Sequence, residues 1–71
     1  MNGHDWIAAF ATELGLPAPD DATIERLLAL ASSAAHQSER IAAPIACYLV
    51  GLGGVDPVRA AEIAAAMQPP D

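Results

Sequence analysis

Residues that end or begin helices recur along this chain at intervals that leave room only for short helices. A glycine after a helix provides a left-handed stop, a proline blocks continuation or fits a first turn, and an aspartate can cap free amides. These residues are, in chain order, Gly15, Pro17, Pro44, Gly53, Gly54, Asp56 and Pro57.

The segments between these residues have apolar side chains at three- and four-residue spacing, and none shows the alternation typical of a strand. The sequence therefore predicts an all-α fold, a compact bundle of four short helices in one domain over residues 1–71. The predicted helices span about residues 5–14, 22–37, 44–52 and 57–67. The apolar stripe expected on the second helix comprises Ile24, Leu27, Leu28, Ala31 and Ala35.

The third helix lies in an uncharged run of fifteen residues, 41–55. A helix that is apolar nearly all round is typical of the centre of a bundle, so Tyr48 is predicted to lie in the core. Trp6 of the first helix is expected to anchor the core, the alternative being an exposed residue that binds a partner. The run is shorter than the roughly twenty residues that a membrane span needs, and Pro44 interrupts it. We therefore expect no membrane-spanning segment.

Charge and cysteine content narrow the class of protein. The net charge is −6, from nine acidic residues, three arginines and no lysine. Binding to nucleic acid or to an anionic membrane needs clustered cations, so neither partner is expected. Cys47 is the single cysteine, which excludes an internal disulfide and fits a reducing cytoplasm. We expect Cys47 to be a small buried hydrophobe rather than a reactive thiol.

The length of the chain suggests that it associates with another molecule. A chain of 71 residues buries only about 60% of its unfolded surface, so its stability is marginal. Most of its apolar residues are small alanines, and no disulfide supports the fold. We therefore expect a protein partner or a homodimer.

The segment "HQSER" holds the only candidate site. His36 and Glu39 are three residues apart and could share one helix face, but they supply only half of a metal site. No nucleophile accompanies them, so no metal, cofactor or catalytic activity is predicted. Arg40 either pairs with Glu39 or with carbonyls at the end of the second helix, or it faces a carboxylate or phosphate of a partner.

The stretch "AHQSERIAAPIACYLVGL", residues 35–52, resembles the signature of a small bacterial domain family of unknown function. Trp6, "LGLP" at 14–17 and "LLALA" at 27–31 match the same family in order. His36, Glu39, Arg40 and Pro44 stand where the family pattern has them. Ile41 replaces a frequent second proline, and Ser32–Ser33 replace a charged pair.

The resemblance implies a setting rather than a reaction, because members of that family occur alone or fused to molybdenum cofactor guanylyltransferases. The leading hypothesis is a non-enzymatic accessory domain in molybdenum cofactor maturation that binds a protein partner, such as that enzyme. The alternative is a small-ligand module that binds a nucleotide or a pterin through His36, Glu39 and Arg40.

Overall fold

The computed structural model describes residues 1–67, and within them the chain forms four α-helices and no strand. The helices are α1 (Gly3–Glu13), α2 (Asp21–Gln37), α3 (Ala42–Gly53) and α4 (Pro57–Ala66). The predicted all-α fold with four helices is thus confirmed. No bound differs from its predicted position by more than two residues.

Three of the helices begin at a capping side chain. Oxygens of Asn2, Asp20 and Asp56 accept hydrogen bonds from backbone amides in the first turns of α1, α2 and α4, at 2.8, 2.8 and 2.9 Å. These bonds satisfy amides that have no acceptor inside the helix. Pro57 is the first residue of α4, where its missing amide proton removes no bond.

Glycines in the left-handed region end α1 and α3. Gly15 has φ +74° and Gly54 has φ +63°. After Gly15 the amide of Leu16 donates to the carbonyl of Ala11 at 2.9 Å, and the amide after Gly54 donates in the same way at 3.1 Å. Both ends are Schellman motifs, which satisfy the last free carbonyls of a helix. Gly53 is the final residue of α3 rather than part of the left-handed stop.

The central helix is α2, which packs extensively against both α3 and α4. The core cluster consists of Leu30 from α2 with Ala60 and Ala64 from α4. Half-buried side chains pack around this cluster, namely Leu27, Ala46, Cys47 and Val50. Cys47 is therefore half-buried beside the core. Within residues 1–67 no side chain falls below 2% exposure, so the core is thin.

The prediction that α3 is the buried, central helix is wrong. No residue of α3 is buried, and Tyr48 is 64% exposed rather than part of the core. A helix is surrounded only when several others pack on it, whereas α3 packs extensively only on α2. The inner face of α3 meets α2 through Ala46, Cys47 and Val50, while Ile45 and Leu49 lie on exposed parts of its surface.

The first helix lies outside the extensive helix–helix contacts of the described residues. Trp6 is 55% exposed and stacks on Phe10, with ring centroids 5.0 Å apart and an interplanar angle of 23°. The prediction that Trp6 anchors the core is therefore wrong. Leu28 of the expected stripe is also exposed, because α2 directs Leu27 and Leu30 toward its neighbours instead.

A long-range hydrogen bond joins the ends of α2 and α4. The side-chain amide of Gln37, in the last turn of α2, donates to the carbonyl of Ala64 at 2.8 Å in a partly buried position. Ala64 lies in the last turn of α4, where carbonyls have no amide donor four residues further along the helix. Its carbonyl also accepts the Met67 amide at 3.3 Å. The Gln37 amide therefore fixes the C-terminal end of α4 against α2.

We expect a Gln37→Met substitution to destabilise the domain. Methionine keeps much of the side-chain volume but leaves the Ala64 carbonyl without this donor, which costs about 1 kcal/mol. For a domain of this size that corresponds to a fall in melting temperature of about 4–8 °C. Thermal unfolding followed by circular dichroism measures it, with Glu25→Met on the exposed face of α2 as control. An equal effect of both substitutions would contradict the role given to Gln37.

Capping by Asp20 makes stability depend on pH. Hydrogen bonds from the backbone amide and then the hydroxyl of Thr23 lower the pKa of Asp20 below its ordinary value. A carboxyl whose pKa is lowered by folding contributes stability above its unfolded pKa, and this contribution is lost as pH falls through the native pKa.

We expect an Asp20→Asn variant to lose less stability in acid than the native chain. Asparagine keeps a capping oxygen but does not titrate. Urea unfolding at about pH 6 and about pH 2.5 measures the free energy of unfolding of both proteins. Its fall between the two pH values should be smaller for the variant than for the native chain. Asp21→Asn, at the neighbouring exposed carboxylate, is the control. If the native chain and the Asp20→Asn variant lost the same stability in acid, this interpretation would be contradicted.

Candidate functional site

The polar segment 38–41 connects α2 to α3 and is held mainly by its backbone. The Ser38 hydroxyl donates to the carbonyl of Ala34 at 2.7 Å, which closes the last turn of α2. The carbonyls of Glu39 and Arg40 accept the amides that open α3, at 3.0 and 3.2 Å. These short-range bonds set the angle between the two helices, so the segment has a structural role that its charged residues did not suggest.

The three predicted patch residues lie close in sequence but are not joined by their side chains. His36, Glu39 and Arg40 are all exposed, and no hydrogen bond links their side chains in the part of the chain that the structure describes. His36 Nδ1 lies 3.3 Å from the Ser32 hydroxyl, one turn back along α2. Because α2 ends at Gln37, Glu39 lies beyond it, and the predicted shared helix face does not form.

Pro44 lies in the first turn of α3, but it does not begin the helix. It is the third residue of α3, and Ala43 before it is helical. The helix predicted to begin at Pro44 therefore begins two residues earlier, at Ala42. A proline disfavours helical backbone before it without forbidding it, and amides of the first turn need no helical acceptor. Pro44 thus removes no hydrogen bond there.

An open apolar groove of about 380 Å³ lies between α2, α3 and the end of α4. We call it the α2–α3 groove. Eleven described residues line it, and none has an ionisable side chain. Its apolar walls include Leu30, Ala34, Ile45, Ala46, Leu49 and Met67. Leu49 is 57% exposed, so water meets these apolar surfaces directly.

None of the three patch residues lines the α2–α3 groove. Polar groups at its edge are uncharged, and they include the Gln37 amide, which already donates to Ala64. The patch and the groove are therefore separate surfaces. The first presents charges to water, and the second is a concave apolar surface of the kind that binds apolar side chains.

The uncharged run 41–55 is the sequence signal for this groove. The run predicts burial inside the bundle, but α3 packs extensively only on α2, so part of its apolar surface remains exposed.

Two kinds of feature are absent from residues 1–67. No group of three or more His, Cys, Asp or Glu residues in this range could hold a metal ion. No helix among these residues has both the length and the apolar character needed to cross a membrane.

Fold and groove together define a small all-α domain with an exposed apolar groove. A family model described as "Domain of unknown function (DUF6457)" matches residues 1–69, and the chain belongs to that family. No significant match to a curated protein or to a solved structure was found.

We expect substitutions of Leu30 and Leu49 by alanine to differ greatly in cost. Leu30 is 5% exposed in the core cluster, so Leu30→Ala should cost about 2–5 kcal/mol. Leu49 is mostly exposed, so Leu49→Ala should cost about 0.5 kcal/mol or less. Urea unfolding at low protein concentration, where association contributes little, measures both. Equal costs would show that Leu49 is covered within the isolated chain.

Proposed function

We propose that this chain is a non-enzymatic accessory domain that binds a partner protein through the α2–α3 groove. The observation that carries the proposal is the groove itself, an uncharged concavity of about 380 Å³ with mostly exposed leucine, isoleucine and methionine side chains. Exposed apolar surface of this kind costs free energy in water, about 25 cal/mol for each Å² that a partner could cover.

The shape and chemistry of the groove favour a helical partner segment. Its walls are formed by two packed helices, α2 and α3, and Ala64 and Met67 at the end of α4 also line it. An amphipathic helix can place apolar side chains into such a groove at spacings of three and four residues. The hydroxyls of Ser33 and Ser38 at its edge can bond to polar groups of the partner.

In this proposal the domain acts in molybdenum cofactor maturation, and its partner is a molybdenum cofactor guanylyltransferase or a related enzyme. The support is the resemblance of residues 35–52 to a family that occurs fused to that enzyme. We place the domain in the cytoplasm, where the unpaired Cys47 stays reduced.

The alternative function, binding of a nucleotide or pterin by His36, Glu39 and Arg40, has less support. A ligand site buries most of its ligand and brings polar groups together around it. These three side chains are exposed, and none of them lines the groove. A rise in melting temperature with GTP or a pterin that Arg40→Ala abolishes would favour this alternative.

Capture from a native lysate with immobilised protein tests the proposed function. The native chain should retain an enzyme of molybdopterin metabolism, and a Leu49→Glu variant should lose most of it, because the carboxylate would be buried without a partner charge. Leu28→Glu is the matched control, since Leu28 is 61% exposed on α2 and does not line the groove.

The three chains separate the possible results. Retention by the native chain and by Leu28→Glu, but not by Leu49→Glu, supports the groove. Equal retention by all three would place the interface elsewhere. Recovery of no enzyme of molybdopterin metabolism by the native chain would count against the proposed setting.

A further inference from the structure

A second apolar surface lies on α1. Trp6 and Phe10 are one helical turn apart, stack on each other and project as an exposed aromatic ridge. Ala9 lies beside them on the same surface. We call Trp6 and Phe10 the α1 ridge. The chain therefore has both a projecting aromatic surface and an apolar concavity, and neither is filled within the described residues.

The α1 ridge does not line the groove of its own chain. Residues 15–20 join the two helices and contain Pro17 and Pro19, which stiffen the backbone. This connection enters α2 at Asp21, whereas the first groove residue of α2 is Leu30, about 14 Å further along the helix. α1 is thus attached at one end of α2, and the groove opens toward the other.

The exposed area of the chain is larger than that of a typical monomer. The accessible surface is 5467 Å², whereas a monomeric protein of 7.3 kDa is expected to have roughly 4,200 Å². The excess is about 1,300 Å². A standard protein interface covers about 800 Å² on each partner. One such interface would therefore remove more than half of the excess.

We propose that the α1 ridge of one copy occupies the α2–α3 groove of a second copy, and that the exchange is reciprocal. Each copy then donates one ridge and accepts one, which forms a closed two-fold dimer. This dimer rests on the proposed function in one respect, because both use the α2–α3 groove as a binding surface. The α1 ridge and the helical segment of a partner would then compete for the groove.

Charge defines how this association responds to salt. Each copy has a net charge of −6, while the groove itself is lined by uncharged residues. Two copies therefore repel at long range but bury no like charges at the groove. Added salt screens the repulsion, so the dimer should become severalfold tighter between low and moderate ionic strength. A cationic occupant of the groove would show the opposite trend.

A complementation experiment tests the exchange. The ridge variant is Trp6→Glu with Phe10→Glu, and the groove variant is Leu49→Glu. By native mass spectrometry and light scattering, the native chain should be a dimer of twice 7.3 kDa, and each variant alone a monomer. An equimolar mixture should form a heterodimer that is weaker than the native dimer but tighter than the homodimer of either variant, because one of its two ridge–groove contacts is native.

Controls separate folding from association. All three substituted side chains are about half exposed or more, so circular dichroism should show native helix content. Trp6→Ala with Phe10→Ala is a second ridge variant without added charge. Leu28→Glu should remain dimeric. Trp6 is the only tryptophan, so its emission should shift to shorter wavelength as the native chain associates.

Several results would overturn the exchange. They are a native chain that stays monomeric at millimolar concentration, a groove variant that still dimerises, or a mixture that forms no more dimer than the two variants form separately. A monomeric native chain with a buried Trp6 would show instead that α1 folds onto its own groove. None of these results affects the proposed function, which fails separately if Leu49→Glu captures the same partner as the native chain.

Discussion

The packing of α2 against its two neighbours through alanines determines the rest of the structure. Ala60 and Ala64 of α4 and Ala46 of α3 let the helix backbones approach Leu30 closely. Small side chains make close contact possible, but each one buries little apolar area. Ile45, Leu49 and Met67 consequently lie outside the core cluster, where they line the groove. The thin core and the open apolar surface therefore have the same cause, which is helix packing through alanines.

This arrangement explains why the sequence predicts the bounds of the helices better than it predicts their tertiary packing. Gly15 and Gly54 end helices through their own backbone conformation, and Asp20 and Asp56 cap helices through bonds to amides two or three residues away. Such interactions depend on adjacent residues alone, so the helices could be located from the sequence.

Burial depends instead on how many neighbours each helix obtains, and a single sequence does not give that number. Tyr48 and Trp6 are hydrophobic enough for a core, yet both lie on helices with too few neighbours to cover them. The bond from Gln37 to Ala64 spans 27 residues, and no sequence pattern indicates such a pair. For the candidate site, the charged residues of "HQSER" indicate the junction between α2 and α3. The sequence does not identify the groove beside it as an open surface, because its apolar residues have the same pattern as those of a buried core.

The stiff connection at residues 15–20 also has a consequence for folding. α1 shares few contacts with the other helices, so its opening need not disturb the Leu30 cluster. Cooperative units in proteins follow the distribution of contacts, and weakly attached elements open at lower free energy than the whole. The chain can therefore be regarded as two units of unequal stability, a three-helix body and a separate helical arm. Occupation of the arm by another molecule would make the two units unfold together.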